Sequence, residues 1–204
     1  MVPGTGTGRG TVDRRQRLIE SAIKLFSAQP YDDVSVQDIA TDAGVATGLL
    51  YYHFTDKQGL YAAVQETLAD GLKAAMYDAI DPAAPPLDRL GAALRAQLKL
   101  IAENPPAYRE LLGGMSSQPK VNAIVKRQRG AWLELVGESL PDDVPRTAAV
   151  TATLKGWLHF ADGVQLAWLA KPDIPLEEIA ELCVRVLAAS IDAAEQLNDE
   201  PAKR

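Results

Sequence analysis

The chain has 204 residues, 47% hydrophobic and 24% charged, with a net charge of −6 at pH 7, which supplies a core for one domain or a small module joined to a larger one and excludes a disordered or fibrous chain. A lone cysteine, Cys183, excludes an internal disulfide, and the opening residues MVPGTGTGRGTVDRR are glycine-rich and polar where a secretory leader needs an apolar stretch. Asp162, Lys171 and Arg185 interrupt the longest apolar runs before they reach the roughly 18 residues of a membrane helix, so the expected location is cytoplasmic, away from membranes.

Charge is shared unevenly. Residues 1–65 carry −1 and the remainder −5. A blanket basic surface is therefore absent, and any contact with nucleic acid must come from locally placed groups.

Prolines bound the predicted elements, because each removes a helix-interior hydrogen bond and clashes with the preceding turn. In chain order, Leu18, Ala22, Leu25 and Phe26 recur at helical spacing before Pro30. Ser35 followed by Asp38 reads as a capping box with Asp in place of Glu, opening a short helix whose inner face is Val36, Ile39, Ala40 and Ala43. Gly44 ends it in the left-handed conformation, and Thr47–Phe54 starts a second short helix anchored by Leu50 and Phe54. Further helices are predicted over 56–80, 87–103, 106–117, 119–139, 145–170 and 175–198. Sustained apolar-polar alternation is missing and no internal repeat is visible, so the fold class is all-α.

Two of these segments suggest an interface. From Leu154 to Leu169 apolar residues surround the helix, Leu154, Leu158, Ala161 and Leu169 on one side and Trp157, Phe160, Val164 and Trp168 towards another. A helix apolar all round must be buried all round, which a chain of this size achieves by dimerising. Val164 and Trp168, with Cys183, Val186, Leu187 and Ile191 on the last amphipathic helix, are the predicted dimer residues. The alternative is the central helix of a monomeric bundle.

Helix, glycine turn, helix is the layout of a helix-turn-helix, whose second helix enters the major groove of DNA. Phe26, the run VSVQDIA, Ala43-Gly44-Val45, Gly48, Leu50-Tyr51-Tyr52-His53-Phe54 and Lys57 with Leu60 resemble, in this order and spacing, the DNA-binding domain of the TetR family of transcription regulators. The resemblance covers about residues 11–65. It implies an arm over 1–10, a three-helix DNA-binding domain over 11–65, and a larger helical ligand-binding and dimerisation domain over 66–204.

Carried over residue by residue, the resemblance implies that Tyr51 and His53 touch phosphate or flanking bases, Tyr52 reaches into the groove, and Lys57 pairs with backbone phosphate at the start of the next helix. Thr47, Gly48 and Leu49 face the groove with them. Gln37 reads adenine or a phosphate, Ser35 offers its hydroxyl or amide to the backbone, and Arg9 with Arg14 reaches the minor groove from the arm. Two departures stand out. Where the family often has Ser-Lys or Ser-Arg before the glycine, this chain has Ala46-Thr47, so a helix cap and a cation are missing; Leu49 offers apolar contact only, for instance to a thymine methyl.

For the larger domain, polar groups on apolar helices are the candidate effector contacts, namely His159, Asp162 and Gln165, with walls from Tyr108, Met115, Trp132 and Trp157. Each also reads as plain core or interface. Lys120, Lys126, Arg127 and Arg129 form a basic cluster suited to an anionic effector or to a solvated helix face, and Gly113-Gly114 reads as a flexible break.

No cofactor and no catalysis are expected. His53 and His159 are the only histidines and Cys183 the only thiol, without spacing for a zinc site, and neither a GxSxG elbow nor a phosphate-binding glycine loop occurs. The sequence thus predicts a homodimeric, effector-responsive DNA-binding regulator, a repressor by family default, acting on a palindromic operator. The rival is a dimeric ligand-binding protein that no longer reads DNA.

Overall fold

A computed structural model describes residues 7–113, 118–141 and 143–199, with the side chains of all but 7–12, 110, 198 and 199. The described residues form α1 (Thr7–Ala28), a 3₁₀ turn (Tyr31–Asp33), α2 (Val36–Asp42), α3 (Thr47–Phe54), α4 (Lys57–Asp78), α5 (Pro86–Glu103), α6 (Pro105–Gly113), α7 (Pro119–Glu138), α8 (Ala148–Ala170) and α9 (Leu176–Asp199). They contain no strand, and the all-α expectation holds.

Most boundaries fall within a residue or two of the expected ones. The helix expected from 145 starts at Ala148 because Thr147 caps it, its hydroxyl accepting from the Val150 amide at 3.2 Å. The helix expected over 106–117 is described from Pro105 to Gly113; Gly114 and Met115 lie outside the described residues.

The capping box is present: Ser35 Oγ accepts from the Asp38 amide at 3.0 Å while the Asp38 carboxylate accepts from the Ser35 amide at 3.2 Å. Gly44 ends α2 with φ 64, the left-handed conformation a glycine adopts without a Cβ penalty. Thr55 takes φ 69 between α3 and α4, a strained turn for a β-branched residue. Asp56 then caps α4, its Oδ1 accepting from the Gly59 amide at 2.6 Å.

Two apolar clusters form the core. The first joins Leu18 and Ile19 of α1, Ile39, Leu50, Phe54 and Leu60 to Leu111, Val121 and Val125, so the N-terminal helices share their core with α6 and α7. The second joins Leu90 and Leu94 of α5 to Trp132, Trp157, Cys183 and Leu187 of α7, α8 and α9. Because α4 runs unbroken from Lys57 to Asp78, across position 65, the N-terminal unit and the larger helical unit are joined by a helix and not by a linker.

The all-round apolar reading of α8 needs correcting. Trp157, Leu158, Ala161 and Gln165 are buried in the protomer, Phe160, Val164 and Trp168 are half-buried, and the outward face carries Lys155, Gly156, His159, Gly163 and Ala167. The residues read as apolar are all buried or half-buried, and the stripe between them, two polar and three small residues, is the exposed one. No described helix is long and apolar enough to cross a membrane.

Candidate nucleic-acid interface and effector domain

The short α3 presents two faces. Leu50 and Phe54 are buried at 0% and 7% exposure, whereas Tyr51 and Tyr52 stand out at 52% and 76%. Two adjacent, solvent-facing phenols on a helix held from below offer hydroxyl donors of the kind that can meet base edges and phosphates. Gly48 is exposed, with open space where a Cβ would stand, and Thr47 and Leu49 are half-exposed on the same helix.

His53 is half-buried, its ring centroid 5.1 Å from Tyr52 and 6.0 Å from Phe54, and its Nε2 is enclosed without a hydrogen-bond partner. It thus supports the outward pose of Tyr52 as well as standing at the helix surface. Gln37 on α2 is exposed. Ser35 is occupied, its hydroxyl also donating to Asp38 Oδ2 at 2.6 Å, which holds the Asp38 carboxyl below its ordinary range. Lys57 lies over the Tyr31 ring at 4.2 Å and donates to the Asp32 carbonyl at 3.5 Å. Tyr31 belongs to a triad with Phe26 and Tyr61, centroids 4.8 to 5.5 Å apart, that fastens α1, the 3₁₀ turn and α4 together. The Arg9 side chain lies outside the described residues.

Sequence reading missed Gly59. A Cβ there would stand 2.0 Å from the Phe54 carbonyl oxygen, so only glycine lets α4 begin this close to the end of α3. An Asp three residues ahead of a Gly, after a helix ending in Phe, was the available signal.

In the larger unit the expected effector contacts scatter. Trp132 Nε1 donates to Gln97 Oε1 at 2.7 Å and Gln97 Nε2 donates to Gln165 Oε1 at 2.8 Å, a buried chain linking α7, α5 and α8. Trp157 Nε1 donates to the Cys183 carbonyl at 2.7 Å. Trp132, Trp157 and Gln165, read from sequence as pocket lining, instead find partners in the core, in Gln97 and a backbone carbonyl that the sequence reading did not name. Tyr108 is buried on α6, and burial raises its hydroxyl pKa. Asp162 accepts from Arg129 Nη2 at 2.6 Å, and Arg129 Nη1 lies 3.4 Å from the exposed His159 ring. Burial pushes the Asp162 carboxyl up to about 6 against the opposing pull of Arg129. Arg127 pairs with Glu66 across α7 and α4, so the basic cluster is partly spent on holding the two helices together.

The predicted dimer residues divide. Cys183, Leu187 and Ile191 belong to the protomer's own core at 0%, 0% and 4% exposure, and burial lifts the Cys183 thiol to about 11. A residue so enclosed offers nothing to a second chain. The period of the helix could not distinguish the face turned to α5 and α8 from the face turned out. Val164, Trp168 and Val186 are half-buried beside the exposed Ile174 and Leu182, which line adjoining surface hollows of about 370 and 290 Å³.

Comparison with known proteins gives the following. Residues 18–64 match the family model "Bacterial regulatory proteins, tetR family" and residues 86–190 match "Tetracyclin repressor-like, C-terminal domain". The chain is 29% identical over 169 residues to the HTH-type transcriptional repressor KstR2 of Mycobacterium tuberculosis, covering 80% of this chain and 84% of the relative. It is 30% identical over 146 residues to the HTH-type transcriptional activator FasR of Mycolicibacterium smegmatis, covering 69% and 67%. A crystal structure of a tetR-family transcriptional regulator from Streptomyces coelicolor superposes with TM-score 0.78 at 27% identity, covering 93% of this chain and 90% of that one.

Proposed function

Because this chain belongs to the TetR family of transcriptional regulators, we propose that it acts as a homodimeric repressor that places two α3 helices in successive major grooves of a palindromic operator and leaves it when a small molecule binds the larger unit. The observation that carries the reading is the outward pair Tyr51 and Tyr52 over the buried anchors Leu50 and Phe54. The outer surface of α8, α9 and the loop between them, with the exposed Leu182 and Ile174, the half-buried Val164 and Trp168, and the small Gly163 and Ala167, is the dimer surface, since apolar groups beside small ones let two helices approach closely.

Repression is favoured over activation because the relative spanning more of the chain is named a repressor. The effector enters by displacing the Trp132–Gln97–Gln165 chain, whose amides and indole are the convergent polar groups of an otherwise apolar interior. Release is allosteric only if the effector binds the relaxed state more tightly than the DNA-competent one, and the coupling is then reciprocal.

Selection of duplexes from a random pool by the purified protein at physiological salt tests this. Enrichment of a two-fold symmetric site, at a stoichiometry of two chains per duplex, supports the reading. Absence of enrichment would transfer it to a ligand-binding dimer that no longer reads DNA.

A further inference from the structure

The recognition helix has no cation of its own. Its sequence, TGLLYYHF, contains neither Lys nor Arg, and its N-cap, Ala46, makes no side-chain hydrogen bond. Beside its start, the turn from α2 and the outer face of α1 enclose a hollow of about 350 Å³ lined by Arg14, Arg17, Gly44, Val45, Ala46 and Leu49. Arg14 and Arg17 are three residues apart on α1 and so share a face.

The two guanidiniums differ in how they are held. Arg14 is exposed, while Arg17 is half-buried and reaches over the turn, its Nη1 3.9 Å from where a Gly44 Cβ would lie. Arg17 Nε is shut away from solvent without a hydrogen-bond acceptor; Asp13 Oδ2, its ion-pair partner, is 3.9 Å away and beyond hydrogen-bond reach. None of the hollow's lining residues is acidic. Two permanent like charges round one hollow, met among the described residues only by the Asp13 carboxylate at 3.9 Å from one of them, favour a further anion between them, and a guanidinium's forked donors match the oxygens of a phosphate.

We propose that Arg14 and Arg17 grip one backbone phosphate of the operator, so that α1 supplies the positive charge missing at the head of α3. This rests on the DNA-binding reading above and assigns Arg17 a role that the sequence did not suggest, while moving Arg14 from the minor-groove arm to the phosphate. DNA is the source because Leu49 forms one wall of the hollow and the exposed Tyr51 and Tyr52 follow on the same helix. A duplex whose groove admits α3 carries its sugar-phosphate strand past that helix's N-terminus.

The test is the salt dependence of operator affinity for the full chain, wild type against Arg14→Ala, Arg17→Ala, the double variant, Arg17→Lys and, as a control on the far unit, the exposed Lys99→Ala. Each alanine should weaken operator and non-operator duplex alike by about tenfold, and the double variant, which gives up the one phosphate the pair neutralises, should reduce the slope of log affinity against log salt by about 1, with Arg17→Lys retaining the slope and Lys99→Ala behaving as wild type. A second arm needs no variant. Neutral methylphosphonates, placed singly along an operator half-site, should weaken wild-type binding at one position and leave the double variant's binding unchanged there. Equal slopes for wild type and double variant, with no position-specific methylphosphonate effect, would overturn the assignment. Wild-type protein that enriches no duplex would overturn the regulator reading and this one with it.

Discussion

Arg129 on α7 donates to the Asp162 carboxylate on α8 across 2.6 Å, with 23% and 15% of the two side chains exposed. The carboxyl is nonetheless held up at about 6, above its ordinary 3.8, because burial outweighs the attraction of the guanidinium. A carboxyl raised in the folded state binds its proton more tightly there than in the unfolded chain. Its stabilising contribution is complete below 3.8 and is lost as pH rises through about 6. Moving from pH 7.5 to pH 5 should therefore favour wild type over Asp162→Asn by about 1 kcal/mol, read as the difference between their urea midpoints. Parallel pH profiles for the two proteins would refute it.

The Trp132–Gln97–Gln165 chain predicts non-additivity. Gln97→Leu strands the Trp132 Nε1 donor and the Gln165 Oε1 acceptor in the core and should cost about 2–4 kcal/mol. Trp132→Phe should then cost less in that background than in wild type, with a coupling on the order of 1 kcal/mol. Simple addition of the two losses in urea titrations would mean that the three groups do not act as a unit.

Ala46 occupies the N-cap of α3 in extended conformation, φ −69 and ψ 139, with no side-chain cap. A serine hydroxyl there can accept from an amide of the first turn, so Ala46→Ser should stabilise the protein by about 0.5–1 kcal/mol. An unchanged or lowered thermal midpoint would show that the backbone at this turn does not admit the cap.

How much of this was legible beforehand depended on the kind of signal. Gly44, the Ser35–Asp38 box and the Leu50 and Phe54 anchors are local, and each does in the structure what its chemistry dictates. The outward faces were less legible. On α9 the 3.6-residue period identified an apolar stripe, but Cys183, Leu187 and Ile191 turn it towards α5 and α8, and only the fold shows that Leu182 is left outside. Gln97 sits on the apolar stripe of α5 between Leu94 and Leu98, and a polar residue in that register was the sign of a buried hydrogen-bond chain. Arg17 had no such sign, since its place over Gly44 depends on how α1 crosses the turn between α2 and α3.

The assignment of the outer α8 and α9 surface to dimerisation separates two leucines five residues apart. Leu182→Glu, at an exposed position, should leave folding stability within about 0.5 kcal/mol and convert the sedimenting species to a single chain. Leu187→Ala, at a position with 0% exposure, should cost about 2–5 kcal/mol instead. A Leu182→Glu protein that still sediments as a pair would place the interface elsewhere.

The most direct measurement is a titration of the selected operator and of a scrambled duplex with wild type, Tyr52→Ala and Lys57→Ala at physiological salt. Tyr52 stands free at 76% exposure, so its removal should collapse the preference for operator over scrambled sequence while the fold is unaffected. Lys57→Ala should lower affinity for both duplexes by a similar factor. A Tyr52→Ala protein with its operator preference intact would contradict the claim that the outward face of α3 reads DNA.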